Sequence, residues 1–123
     1  MSKPIVVSGI QPTGNLHIGN YLGAVKNWVD MQESGKYDMY IFIADLHSLT
    51  GDMDAKTRRE QILLVAAELL AAGIDPNKTT LFVQSHVSEH TELAWIFNTL
   101  TPIAEIERMT QFKDKSARQE KNI

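Results

Sequence analysis

The order of apolar segments in this sequence predicts an α/β fold, with a parallel sheet covered by helices on both faces. Three short runs rich in β-branched and aromatic residues are predicted to be strands, at 5–8, 40–44 and 80–84. Segments with the apolar spacing of helices lie between them. Strands that alternate with helices form parallel sheets through right-handed crossovers, and the continuous apolar runs are typical of strands covered on both sides.

The first predicted helix follows the first strand. Ile18, Leu22, Val25 and Val29 recur at spacings of four, three and four residues, which places them on one helix face. Gly35 is a suitable residue to end this helix, because glycine adopts the left-handed conformation of a C-cap at little cost.

Two further helices have clear boundaries. Asp54 is a good N-cap for the second helix, and Gly73 followed by Pro76 predicts where it ends. Ser88 is the predicted start of the third helix, and Pro102 breaks or kinks it. The polar segment 108–123 is predicted to be helical or frayed.

Composition favours one soluble domain. The chain has 123 residues, no cysteine and a formal net charge of −3. The length is enough for one core, and the mild acidity argues against broad non-specific nucleic-acid binding. Disulfides and thiolate metal sites are excluded. The apolar run 5–7 is too short for a leader and no apolar run is long enough for a membrane span, so a cytoplasmic protein is expected.

The segment Gln11–Asn20 is the candidate binding site. A helix start presents unpaired backbone N–H groups and the positive end of the helix dipole, which favour anions. Gly14 and Gly19 permit close backbone approach, His17 can donate to a phosphate oxygen, and Asn20 supplies a neutral amide. These residues favour a nucleotide phosphate as the ligand, although a glycine-rich connection with a capping histidine remains an alternative.

Polar segments follow all three predicted strands. They are 11–20, 45–50 and 84–88. Ligands of open parallel sheets bind beyond the carboxyl ends of the strands, so these segments are expected to form one rim. Asp45 is interpreted as a loop cap rather than a catalytic group. His86, Glu89 and His90 are interpreted as surface residues, and no metal site is predicted.

Several motifs together resemble bacterial tryptophanyl-tRNA synthetases, which are class I aminoacyl-tRNA synthetases. Pro12-Thr13-Gly14-x-x-His17-Ile18-Gly19-Asn20 is similar to the HIGH signature of the class. Further blocks similar to the family are Ser8–Gly14, Asp45–Thr50, Gly73–Pro76 and Arg108–Ser116. They extend over almost the whole chain, and the last block differs from the tyrosyl relatives.

The resemblance implies a Rossmann-like fold and an enzyme that activates tryptophan with ATP and transfers it to tRNA(Trp). It implies catalytic roles for His17 and Lys115, and Mg²⁺ carried by ATP without dedicated protein ligands. His17 stands where many relatives have threonine. The implied ATP contacts are Gln11, Pro12, Thr13, Gly19 and Asn20, and the implied wall of the tryptophan pocket is Val7, Gly9, Ala44 and His47. Without the resemblance, Lys115 is more typical of a solvated face of alternating charge. His47 is then equally typical of a histidine that closes a loop.

The sequence also departs from the family pattern. It contains no KMSKS-type loop, and the family's acidic contact to the indole N–H and its anticodon-binding domain have no counterpart here. Residues 1–123 are therefore expected to be the amino-terminal part of the catalytic, ATP-binding domain, with little activity alone. The first strand is expected to present an unpaired edge. A homodimer is also expected.

Two other functions fit parts of the pattern. A small adenylyltransferase of the T/HxGH type carries a related turn on a similar sheet, but without the lead Gln11-Pro12-Thr13-Gly14. An inert nucleotide-binding module would bind adenylate without turnover. Tryptophan-dependent pyrophosphate exchange separates both from a synthetase.

Overall fold

The computed structural model describes residues 2–117, apart from the side chain of Lys115. The chain divides into two compact units, with the boundary between Val87 and Ser88. The first unit contains β1 (Ile5–Ile10), α1 (Ile18–Asn20), a π-helical turn (Tyr21–Val25), α2 (Lys26–Ser34), β2 (Asp38–Ile43), α3 (Asp45–Ser48), α4 (Ala55–Ala71), β3 (Thr79–Val83) and a 3₁₀ turn (Gln84–His86). The second unit contains α5 (Ser88–Leu100), α6 (Ile103–Arg108) and α7 (Thr110–Ser116).

The three strands form a parallel sheet in the order β1-β2-β3. This arrangement confirms the predicted α/β fold. Ile10, Ile43 and Val83 are register partners, so the strands end at the same edge of the sheet. The segments that follow the strands therefore start at this edge, as the sequence predicts.

The core of the first unit lies between one face of the sheet and the helices α2 and α4. Alternate residues of β2 are buried there, since side chains alternate between the two faces of a strand. The buried cluster consists of Val25, Trp28, Met39, Ile41, Ile43, Val65, Leu69 and Ile74. This core fixes the helix that follows the candidate binding turn.

The predicted face of the first helix is wrong in its first half. Val25 is fully buried, but Ile18 and Leu22 are 71% and 56% exposed. The π-helical turn Tyr21–Val25 explains the difference, because its wider turn interrupts the α-helical spacing on which the prediction rests. From the last residue of this turn onward, Val25, Trp28 and Gln32 form the buried face.

Most of the predicted helix boundaries are confirmed. Gly35 follows α2 in the left-handed conformation, and Asp54 caps α4 by accepting the N–H groups of Lys56 and Thr57. Pro102 separates α5 from α6. In the part of the chain that the structure describes, no helix is long and apolar enough to cross a membrane.

Strand β1 is an edge of the sheet. Within residues 2–117 it pairs with β2 alone, and its side chains Ile5 and Val7 are 67% and 63% exposed. This confirms the expected unpaired edge. An exposed strand edge with apolar side chains is a surface on which another strand can add.

Candidate nucleotide-binding site

The candidate turn runs from the end of β1 to the start of α1. Two apolar residues hold it against the body of the first unit: Pro12 is fully buried, and the half-buried Leu16 packs against the core cluster. The residues around them, Gln11, Thr13 and Asn15, are exposed. This alternation fixes the backbone while it leaves polar side chains accessible to a ligand.

Gly14 gives the turn its backbone path. Its φ is 131°, in the range that side-chain-bearing residues rarely adopt, and a Cβ at this position would meet no atom within 4 Å. Glycine is therefore needed here because of the backbone conformation, and not because a side chain would collide with a neighbouring residue. Gly14 separates the buried Pro12 from the half-buried Leu16 and sets the direction of the chain between them.

His17 caps the helix start with its own imidazole. Its Nδ1 accepts hydrogen bonds from the N–H of Gly19 at 3.0 Å and from the N–H of Asn20 at 3.3 Å. In return, the His17 N–H donates to Oδ1 of Asn20 at 3.2 Å. This reciprocal capping box satisfies three backbone donors at the mouth of the helix.

The capping box defines which donors face outward. An imidazole whose Nδ1 accepts carries its proton on Nε2, and an asparagine whose Oδ1 accepts keeps both N–H donors of its amide. His17 therefore offers Nε2–H and Asn20 offers its NH₂ group. The capping histidine that sequence analysis kept as an alternative is present, because the His17 imidazole accepts the N–H groups of Gly19 and Asn20. An anion at this mouth stays a prediction.

Asp45 connects the second and third polar segments of the rim. Its carboxylate is nearly buried and accepts the N–H of Ser85 at 3.0 Å, in the turn after β3. Ser48 donates from Oγ to the Asp45 carbonyl oxygen at 2.6 Å, and Arg58 donates from Nε to that Oγ at 3.1 Å. The prediction that Asp45 is a loop cap is confirmed, although the loop it holds follows β3.

The predicted pocket residues fall into two groups. Val7 and Gly9 lie on the face of β1 opposite the core, whereas Ala44 is buried at the start of α3 and His47 is exposed one turn later. The Phe42 ring lies so close to Gly9 that a Cβ on Gly9 would be 2.6 Å from it. Phe42 also contacts Phe82, with 5.8 Å between ring centroids. Sequence analysis missed Phe42, whose position opposite Gly9 in the register identifies it only once the strands are paired.

Lys115 belongs to α7 in the second unit, and its side chain lies outside the described residues. Its predicted catalytic role stays a prediction. Among the residues that are described, no group of three or more His, Cys, Asp or Glu side chains could hold a metal ion.

A comparison with sequence families decides the classification. The family model of the class I tRNA synthetases for tryptophan and tyrosine (W and Y) matches residues 1–123, the whole length of the chain. The chain belongs to this family.

Curated relatives in the family are closely similar in sequence. The chain is 58% identical over 118 residues to tryptophan–tRNA ligase 2 of Streptomyces avermitilis, and 49% identical over 123 residues to tryptophan–tRNA ligase of Synechocystis sp.. These matches cover 95% and 100% of the chain, but 34% and 36% of the relatives. The chain thus spans about a third of the length of the family members that it matches.

Solved structures of the family have the same fold. Tryptophanyl-tRNA synthetase from Campylobacter jejuni, in a complex with ADP and tryptophan, matches 93% of the chain with a TM-score of 0.85 and 44% identity, and 35% of that structure is covered. Tyrosyl-tRNA synthetase from Archaeoglobus fulgidus matches 86% of the chain with a TM-score of 0.74 at 20% identity, which shows the fold alone, and 34% of that chain is covered.

Proposed function

We propose that this chain is the part of a tryptophan–tRNA ligase that binds ATP and tryptophan. The main support is its similarity to the synthetase from Campylobacter jejuni, which was solved with ADP and tryptophan and matches the chain across 93% of its residues. The identity of 49–58% to proteins named tryptophan–tRNA ligase supports tryptophan rather than tyrosine as the substrate.

The proposed reaction has two steps. A carboxylate oxygen of tryptophan forms a bond to the α-phosphorus of ATP, the bond from that phosphorus to the bridging oxygen breaks, and pyrophosphate leaves with the electron pair. The tryptophanyl group is then transferred from AMP to the terminal ribose of tRNA(Trp). In the first step the protein acts mainly by positioning the reactants and stabilising charge.

The turn at residues 11–20 would hold the nucleotide. Nε2–H of His17 and the NH₂ group of Asn20 are the donors that the capping box leaves for phosphate oxygens. Gln11 and Thr13 offer exposed polar side chains next to them, while Pro12 and Gly19 fix the backbone that carries these groups. Lys115 is proposed to reach the leaving phosphates.

Tryptophan would bind on the face of the sheet that carries Val7 and Gly9. A flat indole needs an apolar wall, and the Phe42 ring contributes to it because Gly9 has no side chain and the ring lies directly against its backbone. Ala44 and His47 are proposed to complete the wall. The proposed pocket would lie next to the phosphate turn, because β1 carries Gly9 and leads directly into Gln11.

The proposal also includes Mg²⁺ bound together with ATP, and a second copy of the chain in a homodimer. We propose that Mg²⁺ arrives on the ATP phosphates, without dedicated protein ligands. When bound, Mg²⁺ would neutralise charge on the leaving pyrophosphate. A homodimer in the cytoplasm remains our expectation, and sedimentation equilibrium tests the assembly.

Tryptophan-dependent exchange of pyrophosphate into ATP tests the function in the full polypeptide that carries these residues. The proposal predicts exchange with tryptophan, and a rate at least about 100-fold lower with tyrosine at equal concentration. Exchange that prefers tyrosine would contradict the proposed substrate. Nucleotide binding without any exchange would instead support a binding module.

A further inference from the structure

Glu68 of α4 makes a hydrogen bond to the candidate phosphate turn. Its Oε2 accepts the backbone N–H of Leu16 at 3.0 Å, across 52 positions of sequence. Leu16 directly precedes His17, whose imidazole caps the helix start. The contact is partly buried, and a charged acceptor makes such a hydrogen bond stronger than one between neutral groups.

The helix that carries Glu68 is held firmly by the core. Val65 and Leu69, three residues before and one residue after Glu68, are both fully buried in the core cluster. The carboxylate is therefore attached to a rigid element. Leu16 is held at two points, by its own side chain against that core and by its N–H against Glu68.

This connection determines where the capping box begins. The residue after Leu16 supplies both the N–H that bonds to Asn20 and the ring that accepts from Gly19 and Asn20. A displacement of Leu16 therefore moves the imidazole and the donors that face outward. The Glu68 carboxylate also brings a negative charge next to the turn, and this charge would repel an anionic ligand. Any contribution of Glu68 to anion binding must therefore come from the position in which it holds Leu16.

We propose that Glu68 is a positioning residue that sets the phosphate-binding geometry of the turn through the Leu16 N–H. This inference rests on the proposed function, because ATP is the ligand whose binding the turn would serve. Glu68 does not contact the nucleotide in this account. It acts on ATP only through the position of residues 16–20.

Two conservative variants separate the effect of side-chain length at position 68 from the effect of its charge. Glu68→Gln keeps an acceptor oxygen at the same distance and removes the charge, whereas Glu68→Asp keeps the charge on a side chain that is one methylene shorter. We expect Glu68→Gln to bind ATP within about twofold of the unmodified protein and Glu68→Asp to bind about five- to thirtyfold more weakly. Glu60→Asp and Glu60→Gln, at an exposed position on the same helix, are the matched controls.

Calorimetric ATP titration and amide hydrogen exchange are measured on each variant. The inference predicts that Glu68→Asp speeds exchange at Leu16 and shifts the amide resonances of Gly19 and Asn20 even without ATP, while Glu68→Gln and both Glu60 variants change little. Equal exchange and equal ATP affinity in Glu68→Asp and the unmodified protein would overturn it. So would tighter ATP binding by Glu68→Gln with Glu68→Asp unchanged, since charge would then be the cause.

The same data distinguish this inference from the proposed function. If the unmodified protein binds no ATP, the proposed function fails, and Glu68 can have no role in ATP binding. If the unmodified protein binds ATP and all the variants bind it equally, the proposed function stands and the positioning role of Glu68 is refuted.

Discussion

The imidazole of His17 lies over the backbone of Gly19, with 3.0 Å between Nδ1 and the Gly19 nitrogen. A Cβ on Gly19 would come within 2.9 Å of Cε1 and 3.0 Å of Nδ1 of this ring. The ring of His17 can therefore cap the helix start because Gly19, two residues later, has no side chain to collide with it. The need for glycine at position 19 therefore arises from a contact within the protein.

Gly19→Ala should displace the His17 ring. The loss of the cap should lower the free energy of unfolding by about 1 kcal/mol and weaken ATP binding, because the outward-facing donors move with the ring. Urea unfolding and calorimetry measure the two effects. Gly23→Ala is the control, since a Cβ at Gly23 would meet no atom within 4 Å. If both variants behave alike, the contact with His17 has no energetic role.

Gly14→Ala should destabilise the protein through backbone strain. With φ at 131° and open space around the added methyl group, the cost is conformational and should be about 1–3 kcal/mol. Gly51→Ala, where the added Cβ would make an ordinary contact at 3.5 Å, should change stability by less than about 1 kcal/mol. Equal midpoints of urea unfolding for the two variants would contradict the assignment of strain to position 14.

Gln32→Met should be strongly destabilising, because the Gln32 side chain makes several buried hydrogen bonds. The buried side-chain oxygen accepts from the Asp75 N–H and the Thr79 hydroxyl, both at 2.8 Å, and its amide donates to the Gly73 carbonyl. Loss of these partners leaves buried polar groups unsatisfied, at a cost on the order of 2–4 kcal/mol.

Gln61→Met is the matched control for this variant. Oε1 of Gln61 is buried and has no hydrogen-bond partner in the described part of the chain. Its replacement should be neutral or stabilising in urea unfolding. If Gln61→Met lowers the free energy of unfolding as much as Gln32→Met does, the hydrogen bonds around Gln32 are not the cause of the destabilisation.

Acid should destabilise the first unit. A hydrogen bond from the Thr57 hydroxyl lowers the pKa of Asp54 below its ordinary 3.8, and one from Lys78 lowers the pKa of Glu33 below 4.5. A carboxyl group with a lower pKa in the folded state than in the unfolded state stabilises the fold above the unfolded pKa. That contribution disappears as the pH falls through the folded pKa.

Urea unfolding between about pH 6 and about pH 3 measures this dependence. Asp54→Asn keeps a side-chain cap but cannot titrate, so its stability should fall less steeply with decreasing pH than that of the unmodified protein. Asp52→Asn, at an exposed position before the cap, is the control and should keep the original slope. Identical slopes in all three proteins would contradict the role of Asp54.

The sequence predicts local features of this fold better than it predicts contacts between distant residues. Asp54, Gly35 and Pro102 mark helix boundaries because capping, left-handed backbone and ring constraints act within a few residues. The exposed positions of Ile18 and Leu22 were not predictable from apolar spacing, since a π-helical turn changes the number of residues per turn.

The candidate site shows the same division. The proposal of an anionic ligand rests on a short segment of glycine, histidine and asparagine, which the sequence alone provides. The supports of that segment come from elsewhere: Glu68 is 52 positions from Leu16, and Ser85 is 40 positions from Asp45. These pairs depend on the packing of α4 and on the register of the sheet, which no local pattern contains.

Amide NMR with ATP tests the central claim most directly, namely that the turn between β1 and α1 binds the phosphates of ATP. The protein is titrated with MgATP and, in parallel, with adenosine, which has the base and ribose but no phosphate. We predict that MgATP shifts the amide resonances of Thr13, Gly14, Gly19 and Asn20, and that adenosine leaves them nearly unchanged. Shifts confined to other residues with MgATP, or equal shifts with both ligands, would contradict the claim.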